Sequence, residues 1–124
     1  MSIVKQSSPQ VELILNTNEI FKGGQVTGVF YLKGGWFKYK IQRLECDLIR
    51  ESQGEKPEVV EPVKTILMSR TIDQNEKTEI PFSYQLTQEL QPTSSKITYR
   101  LHTRLVCSDD VKSKDHDEII VRNS

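Results

Sequence analysis

Hydrophobic and polar residues alternate one by one along most of this chain, and a period of two is typical of β-strands with one buried face. The longest run is 97–107, where apolar residues and Thr103 occupy the odd positions and Arg100, His102 and Arg104 occupy even ones. A second clean run covers 43–48. Each run predicts a strand whose neighbouring side chains point to opposite sides of a sheet.

Runs of this kind recur between turn signals, and no amphipathic helix of useful length interrupts them. The predicted strands are 10–16, 25–32, a long strand that follows Trp36 and Phe37, 63–70, 78–86, 97–107 and 118–122. The predicted fold class is therefore all-β, an immunoglobulin-like two-layer antiparallel β-sandwich of about seven strands with Greek-key connections. A small up-and-down barrel is the alternative.

Glycine and proline mark the connections. The turn at 22–24 contains two glycines and predicts positive φ, and 33–35 reads as hairpin chemistry. The segment 51–62 is the most polar of the chain and predicts a long, mobile hairpin loop. Residues 1–9 are expected to form a flexible N-terminus. Because Pro81 cannot donate to a ladder, its strand is expected at a sheet edge, or to start late.

The length of 124 residues corresponds to one domain, predicted to span 1–124. Lys plus Arg and Asp plus Glu each number 17, so no strong field favours nucleic acid or a basic attachment to membranes. No apolar run approaches the roughly 18 residues of a membrane span, so membrane insertion is not expected. The start lacks the design of a secretory signal, and two cysteines are too few for a disulfide framework. A cytoplasmic location is the expectation.

Several segments, taken in order, resemble a known family. Glu19 to Gly35, Ile41 to Leu48, Thr78 to Leu86, Ile97 to Leu105 and Asp115 to Val121 resemble successive strands of bacterial sporulation-control proteins. The resemblance spans nearly the whole chain. It implies an arrestin-like sandwich and a regulatory, non-enzymatic role in the cytoplasm, in sporulation or cell-envelope control, with no cofactor. A departure lies at 22–24, where the family usually has a Pro-Gly-Glu type of turn.

The family's proteins carry two such sandwiches, whereas this chain has the length of one. It is either an N-terminal domain or a single-domain relative, and both remain open. If a second sandwich is missing, its docking face would be exposed, and two copies could cover it as a homodimer.

Candidate catalytic residues are separated by the alternation. His102 shares the outward face with Arg100 and Arg104, whereas Cys46 and Cys107 are expected to face the core as reduced thiols. A Cys–His dyad would need one partner to cross the sheet, so no catalytic residues are predicted. Metal-binding pairs such as Cys-x-x-Cys are absent from the sequence, so no zinc site is predicted. The acidic residues of 109–118 are interrupted by lysines and are read as a solvated turn rather than a calcium site.

Binding features remain. Trp36, Phe37 and Tyr39 follow a glycine turn, and aromatic residues of this kind are favoured at protein contacts, although entry of a strand into the core explains them as well. A second candidate is an edge strand, either Val63 to Arg70 or Glu79 to Leu86, because edges offer unpaired backbone groups. The functional prediction is an adaptor or regulator that binds a protein partner. The alternative is an extracellular immunoglobulin-like adhesion or ligand-binding domain, and an enzyme is a third reading without a supporting constellation.

Overall fold

The structure is a computed structural model that describes residues 8–123, and these fold into eight strands and one short 3₁₀ turn. The strands are β1 (Gln10–Leu15), β2 (Glu19–Phe21), β3 (Gln25–Lys33), β4 (Tyr39–Ser52), β5 (Glu58–Ile72), β6 (Lys77–Gln85), β7 (Ile97–Cys107) and β8 (Lys112–Arg122). The 3₁₀ turn η1 (Ser108–Asp110) joins the last two.

The strands form two sheets, a three-stranded one in the order β1-β3-β6 and a five-stranded one in the order β2-β8-β7-β4-β5. Every pairing is antiparallel except that of β2 with β8, which is parallel. The prediction of an all-β, two-layer sandwich is confirmed. The expected count was about seven, and the additional strand is the three-residue β2, too short to show a period of its own.

The core lies between the sheets and is built from the inward residues that the alternation predicts. Phe30 of β3 and Phe82 of β6 meet edge to face, with 5.1 Å between ring centroids, which is a preferred aromatic arrangement. Leu44, Leu48 and Leu101 are fully buried opposite them on the larger sheet. Burial of these side chains supplies most of the driving force for folding.

Two predicted boundaries are wrong. The segment 51–62 is not a long loop, because β4 continues to Ser52 and β5 begins at Glu58, leaving only 53–57 as the connection. Hairpin pairing rests on backbone hydrogen bonds, which polar side chains do not prevent. The last strand starts at Lys112 rather than near Glu118 for the same reason. Of the predicted flexible N-terminus 1–9, residues 1–7 lie outside the described residues.

Candidate functional site

Trp36 and Phe37 lie on the loop between β3 and β4 and are exposed by 44% and 62%. Tyr39 differs from them, since it begins β4 opposite Ile72 and is partly buried against the core. The structure therefore brings two of the three predicted aromatic residues together on the surface, a pair we call the aromatic tip. The position of Tyr39 is set by its packing against the core.

Backbone hydrogen bonds fix the loop that carries the aromatic tip. The Gly34 N–H donates to the carbonyl oxygen of Glu76 at 2.7 Å, and the Asn75 N–H donates to that of Gly35 at 3.1 Å. The approach at Gly34 is so close that a Cβ atom there would lie 2.0 Å from the carbonyl oxygen of Asp73. The tip thus sits on a preorganised support, which lowers the entropy lost on binding.

The turn between β5 and β6, to which this loop is hydrogen-bonded, is stabilised by the side chain of Glu76. Its carboxylate accepts hydrogen bonds from Arg70 Nη2 at 2.9 Å, Thr78 Oγ1 at 2.8 Å and the Asp73 N–H at 3.1 Å. The Arg70 guanidinium, followed by the Asp73 N–H and the Thr78 hydroxyl, lowers the pKa of Glu76 to about 2. Glu76 therefore stays ionised across the physiological range and joins the end of β5 to the start of β6.

One edge of the larger sheet is formed by β5, which among the described strands pairs only with β4. Its residues Leu67 and Val59 are exposed by 79% and 56%. Ser69 adopts a positive φ of 46° near one end, and Pro62 near the other end has no N–H to donate. Between them, 63–68 is an extended segment whose outer edge pairs with no strand among residues 8–123.

The strand that contains Pro81, β6, lies at an edge of the smaller sheet, as predicted. The free edges of β5 and β6 lie at the same side of the sandwich, because the Tyr84 hydroxyl donates a hydrogen bond to Glu61. Arg70 makes a second link, to Thr78, at 3.1 Å. Both edge-strand candidates are therefore real edges, but β6 carries a proline in its middle.

The outer face of the smaller sheet carries an open groove of about 610 Å³, lined by residues of β1, β3 and β6. It adjoins a second depression of about 240 Å³ that Trp36 lines, and the two share Gln10 and Lys33. Three rows of side chains cross this face, one residue from each strand. The lysine row is Gln10, Lys33 and Lys77; the glutamate row is Glu12, Tyr31 and Glu79; the apolar row is Ile14, Val29 and Pro81.

The larger sheet separates the thiols from the imidazoles. Cys46 is fully buried in the core, and burial raises the pKa of its thiol to about 12. On β7 and β8, His102 and His116 stack side by side, with ring centroids 4.2 Å apart. Burial, followed by the positive charges of His116 and Arg104, lowers the pKa of His102. The cysteine thiols and the histidine imidazoles therefore lie on opposite faces of the sheet.

Sequence reasoning missed the position of two acidic residues. Asp115 and Asp117 were read as part of a solvated turn, but both lie in β8 and are only partly exposed. The Leu13 N–H donates to Asp115 at 2.7 Å, and burial, followed by a hydrogen bond with Asp115, raises the pKa of Asp117 to about 7. The period-two pattern of Ile119 and Val121, extended backwards, would have placed both on the inward face.

Among residues 8–123, no three His, Cys, Asp or Glu side chains are grouped so that they could hold a metal ion. The same residues include no helix long and apolar enough to cross a membrane. The arrangement is thus a β-sandwich that offers an edge strand, an aromatic tip and a charged sheet face as surfaces for contact.

Comparison with known proteins identifies the family to which this β-sandwich belongs. A model of the SpoOM protein family matches residues 2–124, and the chain belongs to that family. The sporulation-control protein Spo0M of Bacillus subtilis is 24% identical over 118 residues, which are 90% of this chain and 46% of that protein. This chain therefore spans about half the length of its curated relative. The family resemblance seen in the sequence is confirmed, and membership of this family does not favour the adhesion alternative.

Solved structures agree on the fold. The crystal structure of Spo0M from Bacillus subtilis matches with a TM-score of 0.84 at 24% identity, over 94% of this chain and 50% of that one. The CARDB domain of the PF1109 protein from Pyrococcus furiosus, solved in complex with di-metal ions, matches with a TM-score of 0.63 at 11% identity, over 93% and 88%. A superoxide reductase from Ignicoccus hospitalis matches at 0.60 with 12% identity, over 98% and 87%. Proteins of different activity share this sandwich, so the fold does not decide the function.

Proposed function

We propose that this chain is a regulatory, non-enzymatic module that acts in the cytoplasm by binding a protein partner. The partner contributes an extended segment that pairs with the free edge of β5. The observation that carries the proposal is Leu67, whose side chain is 79% exposed in a strand with an unpaired edge. A large apolar side chain next to free backbone donors and acceptors is the arrangement used in strand addition.

The bounds of the contact follow from the local backbone. Pro62 interrupts donation on one side, and the left-handed Ser69 interrupts the regular strand on the other. The register of β5 on β4 shifts at Val63 and again between Leu67 and Arg70, so the regular run within 63–68 is the four residues 64–67. Backbone hydrogen bonds would supply affinity, and the exposed side chain of Leu67 would select an apolar residue of the partner. Strand β6 is the poorer platform, because Pro81 removes a donor from the middle of its ladder.

The aromatic tip is a second contact surface of the same function. Phe37 is the more exposed of its two residues, at 62%, and the fixed loop beneath it presents the ring without further ordering. Exposed aromatic residues on rigid supports are frequent hot spots of protein interfaces. Tyr39 would contribute by anchoring the start of β4.

The experiment is affinity capture from an extract of the source bacterium, followed by quantitative mass spectrometry, with the native chain and two matched variants. Leu67→Lys places a charge on the β5 edge, which blocks strand pairing. Phe21→Lys places the same charge on β2, at the opposite edge of the same sheet, where the native side chain is 59% exposed. We expect Leu67→Lys to lose a partner that Phe21→Lys retains.

The captured partner is then tested as a purified protein. Hydrogen exchange of the chain with and without it should show new protection of backbone amides within 63–68. Equal capture by both variants, or protection confined to other strands, would contradict pairing at β5. A Phe37→Ala variant with normal thermal stability tests the aromatic tip separately, since only the second surface is changed.

A further inference from the structure

The lysine row and the glutamate row lie side by side on the outer face of the smaller sheet. Lys33 and Lys77 are direct cross-strand neighbours, as are Tyr31 and Glu79 in the next row. Like charges directly opposite each other on two strands are destabilising unless a counter-charge reaches them. Neither lysine lies within 4 Å of a carboxylate in any ion pair of the described residues. The face thus carries two cations and two anions in adjacent rows, and none of the four belongs to an ion pair within 4 Å among the described residues.

From this pattern we infer that the outer face of the smaller sheet binds a second copy of the chain through a two-fold axis. The axis lies parallel to the rows and midway between the lysine row and the glutamate row. Rotation about such an axis keeps each strand at its own position across the sheet but exchanges the two rows. Lys77 then faces Glu79 of the second copy, and Lys33 faces the ring of Tyr31 of the second copy.

The same rotation matches the apolar residues further from the axis. Along the strands, the apolar row lies next to the glutamate row, on the side away from the lysine row. The rotation therefore places the apolar row opposite the residues that lie next to the lysine row of the second copy, on the side away from its glutamate row. That position is the loop 34–36, since Trp36 lines a depression together with Lys33 and Gly34. Ile14, exposed by 47%, would pack near Trp36, exposed by 44%. One axis therefore pairs unlike charges and apolar groups at once.

The geometry of the sheet sets the strength of this contact. Three strands about 4.8 Å apart and four rows about 6.8 Å apart cover roughly 400 Å² of flat area on each copy. The sum of about 800 Å² lies below the roughly 1,200–2,000 Å² of stable specific interfaces and in the range of weak, transient ones, so the dimer is weak, with a dissociation constant of roughly micromolar or above. Two twisted sheets in face-to-face contact cross at about 30°, which concentrates the contact near the axis, where the charges lie.

Self-association through this face is independent of partner binding at β5, because β5 belongs to the other sheet and stays free. It uses Trp36 of the aromatic tip for the contact between copies, so only Phe37 of the tip remains available to a different protein. Failure of one proposal therefore does not imply failure of the other.

The test is sedimentation equilibrium of the whole chain from about 1 µM to about 1 mM, a range that brackets an interface of this size. The native chain should associate to a dimer, and more weakly as salt is raised. Lys77→Glu and Glu79→Lys should each weaken the dimer at least tenfold, because each change places like charges together at both symmetric positions. An equimolar mixture of these two variants should associate again, and so should the double variant.

The matched control is Lys112→Glu, which reverses an exposed charge at the start of β8 on the other sheet and should leave the association unchanged. Recovery in the mixture also shows that each single variant is folded. A native chain that remains monomeric throughout the range would overturn the inference. A mixture no more associated than its components, or a control as disruptive as Lys77→Glu, would overturn the assigned face.

Discussion

The Oδ2 atom of Asp115 lies 2.7 Å from the backbone nitrogen of Leu13, so a side chain of β8 accepts the N–H that the outer edge of β1 would otherwise leave unpaired. The neighbouring Val11 N–H donates in the same way to Ser113 Oγ at 3.1 Å. These two bonds join the smaller sheet to the larger one along a side where no strand within 8–123 pairs with β1. The backbone N–H groups at this edge are thereby paired by side chains. At β5, in contrast, side chains link to β6, but the backbone edge of 63–68 pairs with no strand of the described residues.

Replacing Asp115 by alanine should detach β1. The variant loses a charge-assisted hydrogen bond and leaves the Leu13 N–H without a partner, which is expected to lower the free energy of unfolding by about 1–3 kcal/mol. Urea unfolding measures this loss, and hydrogen exchange should show a faster Leu13 amide. Asp115→Asn retains an acceptor and should lose less. Equal losses for the two variants, with unchanged exchange at Leu13, would show that this bond does not hold the strand.

Asp117 should make the protein less stable as the pH rises. Burial, the hydrogen bond with Asp115 and the negative charges of Asp115 and Glu12 raise its pKa from 3.8 to about 7. The folded chain holds this proton more tightly than the unfolded chain, so the free energy of unfolding falls between about pH 4 and pH 7 and then levels off.

Asp117→Asn removes this titration. It should flatten the curve and raise the stability at pH 8 by roughly 1–2 kcal/mol, a range discounted for screening by solvent. Urea unfolding from pH 4 to pH 8 measures both effects. Glu89→Gln, which also removes one carboxylate but from an exposed position outside the proposed contact surfaces, serves as the control and should keep the native slope. A native slope in Asp117→Asn would assign the pH dependence to another group.

Gly34→Ala should disturb the support of the aromatic tip. The added Cβ would lie 2.0 Å from the carbonyl oxygen of Asp73, a backbone atom that cannot move aside alone. We expect a loss of about 2 kcal/mol or more in thermal or urea unfolding. In Gly54→Ala the new Cβ has nothing within 4 Å, so only the strain of its φ of 79° remains, and a smaller loss of about 1 kcal/mol is expected. The prediction fails if Gly54→Ala is the more destabilised of the two.

The two thiols should be unreactive in the folded protein. Cys46 and Cys107 are exposed by only 0% and 2%, and burial raises the pKa of both, that of Cys46 to about 12. Since the thiolate is the reactive form, Ellman's reagent at pH 8 should react only as the chain unfolds and should then count two thiols. A Leu67→Cys variant, with its new thiol on the exposed edge, should react at once. Rapid reaction of the native chain would show that the core opens.

Much of the sandwich could be predicted from the sequence because strand formation follows a local rule. In 97–107, each odd residue from Tyr99 to Cys107 is buried as the alternation requires, since neighbouring side chains of a strand must point to opposite faces. The rule fails where no apolar residue marks the period. The charged start of β8 and the polar hairpin around 51–62 are extended because the backbone of the adjacent strand pairs with them.

The candidate binding surfaces, too, could be predicted from the sequence only in part. From the amino-acid sequence alone it follows that Trp36 and Phe37 come after a glycine turn, that the strand of Pro81 lies at an edge or starts late, and which side chains share a face of one strand. The folded structure was needed to show that Tyr39 packs against the core, that β5 ends a sheet, and that Lys33 lies beside Lys77. Alternation along a chain fixes the direction of each side chain, but the neighbours across strands depend on register and sheet order, which non-local backbone pairing sets.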